Sequence, residues 1–173
     1  MSGYHAVAVD GEIAPETLIR AVYGLDARAS IEPRGTGEFP WGAAPGTAGV
    51  ARAGGWTIVG GDLPPALGSD GESASLAELS RGRRLFRWVV ANASGSVGLD
   101  QFTDGEHQRS FWSVEGEVVN SGGSPLAGEP EGGLEEADQG EVDERTIVGI
   151  LEPHIGPWEV IGTAEYRMFS FGR

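Results

Sequence analysis

A chain of 173 residues with 39% apolar content, five Trp and six Phe can bury a core of its own, and 29 Gly with 10 Pro require many turns. A net charge of −14 opposes non-specific binding to nucleic acid and to anionic lipid, and the lack of Cys excludes disulfides, thiol catalysis and cysteine-ligated metals. All 12 basic residues are Arg, which fits the codon bias of a GC-rich bacterial genome. The first residues carry neither the positive stretch nor the apolar run of a secretion signal. No run of about 18 apolar residues exists to span a bilayer, so a soluble, cytoplasmic protein is expected.

Tyr4 to Val9 reads as a first strand stopped by Asp10-Gly11. A helix follows: Pro15 suits its first turn, Glu16 complements its positive end, Leu18, Ile19, Val22 and Leu25 recur at helical spacing, and Gly24 lies near the stop. From Ala27 to Thr47 the sequence loses periodicity and is punctuated by Pro and Gly, so it reads as an irregular loop anchored on the core by Phe39 and Trp41. Ala48 to Ala53 and Trp56 to Val59 form two strands joined by Gly54-Gly55, a two-residue hairpin connection.

Asp62 to Gly71 reads as a loop, and Ser75-Leu76-Ala77-Glu78 as a capping box opening a brief helix closed by Gly82. Arg81, Arg83, Arg84 and Arg87 are the only basic cluster. Its first reading is structural, at a helix end and on a strand, and its functional reading is a fork for carboxylate or phosphate. Leu85 to Ala91 reads as an inner strand. Asp104-Gly105 is a strong hairpin signal between alternating runs, and Glu115-Gly116 turns the chain again, giving a meander of three or four strands.

Ser121 to Gly140 is rich in Gly, Pro and acids, with no basic residue between Ser110 and Glu144, and reads as an exposed, mobile acidic segment. Asp143 caps a final helix ended by Pro153, and Trp158 to Ile161 and Tyr166 to Phe171 read as strands returning to the sheet. The expectation is one α+β domain over residues 1–173, a single mostly antiparallel twisted sheet with two or three helices packed on it.

Chemical signatures are sparse. His5, His107 and His154 lack metal-ligand spacing, and the acids of the 121–140 segment lack the spacing of a calcium loop, so no metal or cofactor is expected. No Gly-x-Ser-x-Gly elbow, dinucleotide loop or Walker lysine occurs. Two constellations remain. Glu129, Glu131, Glu135, Glu136, Asp138 and Glu141 are the candidates for docking a basic protein, and Trp41, Trp56, His107 and Arg109 are the candidate lining of a pocket between the Pro/Gly-rich loop and the sheet.

The run Gly54-Gly55-Trp56-Thr57-Ile58-Val59, the hairpin Phe102-Thr103-Asp104-Gly105 with Arg109, and Gly116-Glu117-Val118-Val119 followed by Gly123-Ser124-Pro125-Leu126 and Glu129 resemble segments of uncharacterised soluble families common in actinobacteria. The resemblance covers about two thirds of the chain, implies an α+β fold and carries over no catalytic residue. Some such families look similar to the immunity-type proteins that accompany bacterial toxins. The expected function is therefore a non-enzymatic interaction module, immunity-like, for a basic partner. The alternatives are a small-ligand binder or enzyme built on the pocket, and a subunit that dimerises through an edge strand.

Overall fold

Alternation along Gly3–Asp10, strand β1, sets the architecture: Tyr4, Ala6 and Ala8 join one buried cluster, and Val7 and Val9 join another on the opposite side. A strand buried on both faces needs cover on both, and the computed structural model, which describes residues 3–65, 67–137 and 142–172, supplies it with helices. The further strands are β2 (Ile31–Gly37), β3 (Thr47–Ala53), β4 (Trp56–Gly61), β5 (Arg84–Ala91), β6 (Ser96–Thr103), β7 (Glu106–Val114), β8 (Glu117–Gly123) and β9 (Tyr166–Phe171). They form one antiparallel sheet in the order β2-β9-β3-β4-β1-β5-β6-β7-β8. Helices α1 (Pro15–Tyr23) and α2 (Asp70–Leu79) pack on the Val7 side, and α3 (Glu144–Ile155) and α4 (Trp158–Gly162) on the Ala6 side. The α+β expectation holds, with both faces of the sheet clad.

Three turns repeat one solution. Gly54-Gly55, Asp104-Gly105 and Glu115-Gly116 each hold both central residues at positive φ, from 51° at Asp104 to 89° at Gly55, the type I′ geometry that matches the twist of the flanking strands. The hairpin β3–β4 and the meander β5–β8 follow from them as the sequence implies.

Four elements depart from the sequence reading. Residues 31–37, expected as loop, form edge strand β2, which among the described residues pairs only with β9 and so tolerates Pro33 and Gly35. Helix α2 starts at Asp70, not at Ser75: the Ser69 hydroxyl accepts from the Glu72 amide at 3.2 Å, and the inward face of α2 carries Glu72 beside Leu76, which hides the apolar period. Helix α3 runs through Pro153 to Ile155, because Pro153 and Gly149 lie on its solvent side, where water can take the Gly149 carbonyl, while Ile155 is drawn into the core. Residues 158–162 are helix α4 rather than strand, which raises the helix number to four; a short apolar run bounded by Pro157 serves either structure, and Trp158 with Ile161 makes a helical spacing here. Among the described residues no helix is long and apolar enough to cross a membrane.

Candidate functional site

Arg109 organises the acidic segment. It stands on β7, its side chain fully buried, and its guanidinium donates to both Glu129 oxygens at 2.8 and 2.7 Å and to both Glu135 oxygens at 2.6 and 2.9 Å, with Nη1 also reaching the Gly122 carbonyl at 3.1 Å. The buried Glu129 carboxylate in turn accepts from the amides of Leu126 and Leu134, and Leu134 is part of the core. Hydrogen bonds to Glu129 first, outweighing desolvation, push the Arg109 guanidinium further up from its ordinary value. Chiefly through Arg109, the Glu135 carboxyl is held down at about 2, with Ser121 also donating to it. The segment therefore folds back onto the sheet instead of standing free, and two of the docking candidates, Glu129 and Glu135, are consumed internally.

Glu131 and Glu136 are exposed, and their carboxylates make no ion pair or hydrogen bond among the described residues. Asp138 and Glu141 lie outside the described residues. Next to this turn runs β8, every residue of which is exposed, with Val119 at 61% and Val118 also open, and Val114 at the end of β7 is exposed beside it. Its register with β7 shifts at Val119, which bulges outward between Val118 and Asn120. The opposite edge is built differently: β2 carries Pro33, an irregularity around Gly35, and an exposed Glu32–Arg34 ion pair.

On the α1/α2 side a second ionic system crosses the sheet. Arg87 of β5 meets Glu72 of α2 at 2.5 Å, and its Nε and Nη2 donate to Asp100 of β6 at 3.0 and 2.6 Å. Asp100 also accepts from Trp112 Nε1 at 3.0 Å and is bonded to His107 Nε2 at 2.8 Å. Trp112 lies flat over Gly98, where a Cβ would come within 2.8 Å of the ring, and the Arg87 guanidinium sits 5.0 Å from the Trp112 ring centre. Burial works to raise the Asp100 pKa, but the hydrogen bond from His107 and the charge of Arg87 outweigh it and hold the carboxyl below its ordinary value.

His5 lies deeper, fully buried, 3.7 Å from Glu72, and its imidazole is pushed down to about 3 by burial first and by Arg87 second, against the pull of Asp100. It stands neutral beside a carboxylate already matched by Arg87. His107 is the open end of the system, 36% exposed and stacked on Phe102 at 4.2 Å. An imidazole oriented by a buried carboxylate is a general acid–base arrangement, but the nearby Ser110 hydroxyl accepts from the Asn120 side-chain amide rather than bonding to the imidazole. Its chemistry as built is that of a structural ion network.

The four pocket candidates do not converge. His107 faces the α1/α2 side and Arg109 the opposite one. Trp56 is buried against Phe86 at the Asp10 end of β1. Trp41, 47% exposed, stands edge-on to Tyr4 at the other end of β1, beside Phe39 and Trp158. A cavity of about 650 Å³ does lie between the Pro/Gly-rich loop and the sheet, lined by residues 42–45, Asp62, Leu63 and the end of β5. Among the described residues no group of three or more His, Asp or Glu is placed to hold a metal ion.

Sequence reading missed Glu72, Asp100 and Ser121. The signal for the first two was present: Arg87 and Asp100 each sit inside otherwise apolar strands, where a charge needs a buried partner. No protein-family model matches the chain, and no curated protein and no solved structure gives a significant match.

Proposed function

We propose that the chain is a non-enzymatic protein-interaction module, of the immunity-like kind its motifs resemble, that receives an extended segment of a basic protein along β8. The observation that carries this reading is the difference between the two sheet edges. Edge strands are ordinarily blunted by Pro, charge or irregularity, as β2 is; β8 has one bulge, which pushes Val119 outward, and no Pro or cation. An added strand would gain main-chain hydrogen bonds from β8 and apolar contact from Val118 and Val119. Glu115, Glu117, Glu131 and Glu136 are exposed around that edge and favour Lys or Arg on the partner, and they disfavour a second copy of this chain, which carries the same −14.

The test is affinity capture from the native host at low ionic strength, with the wild-type chain and with the Val118→Lys/Val119→Lys variant, whose substitutions are exposed and leave the core untouched. A basic protein held by the wild type, lost from the variant and released by salt supports the reading. Retention indifferent to both changes defeats it, as does light scattering that shows a wild-type dimer dissociated by the same substitutions.

A further inference from the structure

The cavity beside the Pro/Gly-rich loop is independent of β8 and has its own chemistry. Three chain segments meet there: Gly3 at the start of β1, Asp62-Leu63 just after β4, and residues 91–94 at the end of β5, with the 42–45 loop as the far wall. The wall is held in place. Ala43 donates its amide to the Pro40 carbonyl, the Ala44 carbonyl accepts from both the amide and the hydroxyl of Thr47, and the next residue along, Gly46, accepts from the Phe171 amide at 2.8 Å. Because Ala43, Ala44, Ala91 and Ala93 are too short to fill the space between these segments, about 650 Å³ stays open, within the size range of small-molecule sites.

The polar groups decide what such a space can take. Among the described residues Asp62 is the only charged one on the lining, and it makes no ion pair or hydrogen bond with the others. Its negative charge is felt by the buried Tyr23 phenol, whose pKa burial and then Asp62 push up. The Ser94 hydroxyl is already committed to the Ala91 carbonyl and to Ser96. Among the described residues no Arg or His lines the cavity, so there an anion finds no counter-charge, whereas a cation finds a free carboxylate among Leu63, Pro45 and alanine methyls. The net charge of −14 raises the local concentration of small cations further.

We propose that this cavity is a binding site for a small organic monocation, an apolar body carrying one quaternary or protonated amine, with Asp62 as its counter-ion. The site is separate from β8, and a partner on that edge leaves it open.

The probe is benzyltrimethylammonium, titrated into the methyl-labelled chain and followed by NMR, with benzyl alcohol and benzoate as neutral and anionic counterparts. Saturable shifts confined to Ala43, Ala44, Leu63, Ala91 and Ala93, weakened about tenfold in Asp62→Asn and in Ala44→Trp but unchanged in Glu131→Gln, support the site. Ala44 is exposed, so the tryptophan fills the cavity without entering the core. Shifts spread over the acidic surface, equal affinity in Asp62→Asn, equal affinity for benzyl alcohol or benzoate, or no saturable binding would each overturn the proposal.

Discussion

His5 and Glu135 bind protons in different pH ranges, and the direction of each is fixed by its surroundings. The folded His5 stays neutral down to about 3 because burial and Arg87 penalise its charge, whereas in the unfolded chain it protonates near 6.5. The unfolded state therefore binds the extra proton between those values. The stabilisation is complete above 6.5 and is lost as pH falls, at up to about 1.4 kcal/mol per pH unit for one proton. Glu135, held at about 2 against an ordinary 4.5, contributes stability that is present above 4.5 and lost only as pH drops towards 2. Between pH 6.5 and 5 the His5 contribution thus stands apart from that of Glu135. Urea unfolding across that window should show stability falling with pH in the wild type and a shallower fall in His5→Asn; equal slopes would show that His5 is charged in the folded protein.

At the scale of the element, Arg109 turns an acid-rich, glycine-rich segment into fixed structure. Arg109→Ala leaves the buried Glu129 carboxylate without its cation, a loss of about 3 kcal/mol for a pair of this kind, and removes the tie between β7 and the 124–137 turn. Arg109→Lys should recover little, because a point charge cannot donate to two carboxylates in a fork. Chemical denaturation gives the energy, and amide exchange of Leu126 and Leu134, whose donors end on Glu129, reports the loosening; exchange unchanged in Arg109→Ala would show that Leu134 alone pins the segment. The same residues mark what the sequence could disclose. Hairpins at Asp104-Gly105 and Gly54-Gly55 were legible because turn chemistry is local. The ties of Glu129 and Glu135 within the acidic segment are not legible because their cation lies 20 residues from Glu129, on a strand whose partner is known only once the register is fixed. Helix α2 is hidden for a related reason: Glu72 occupies a core-facing position and pairs with Arg87 of the strand beneath it. Patterns of apolar residues carry fold, but ion pairs between distant elements carry the candidate sites, and nothing in local periodicity records them.

At the scale of the molecule, the sheet order makes the last strand indispensable. β9 lies between β2 and β3 and is, among the described residues, the sole partner of β2, so the sheet cannot be completed until residues 166–171 have been added. It also closes both layers: Tyr166 is buried among the residues under α3 and α4, and Phe169 and Phe171 among those under α1. Burying a large apolar side chain yields roughly 1.5–3 kcal/mol, so three of them sum to roughly 5–9 kcal/mol, which matches the whole net stability of an ordinary domain, roughly 5–15 kcal/mol. Loss of β9 would also strip β3 of its neighbour and expose a second, apolar edge containing Val50. A chain ending at Glu165 should therefore lack a cooperative thermal transition, bind a hydrophobic dye and aggregate, although the meander β5–β8 and all four helices α1–α4 are intact in its sequence. If that truncated chain instead melts cooperatively with dispersed amide resonances, the β1–β4–β5 centre is self-sufficient and β9 with β2 is a dispensable flap.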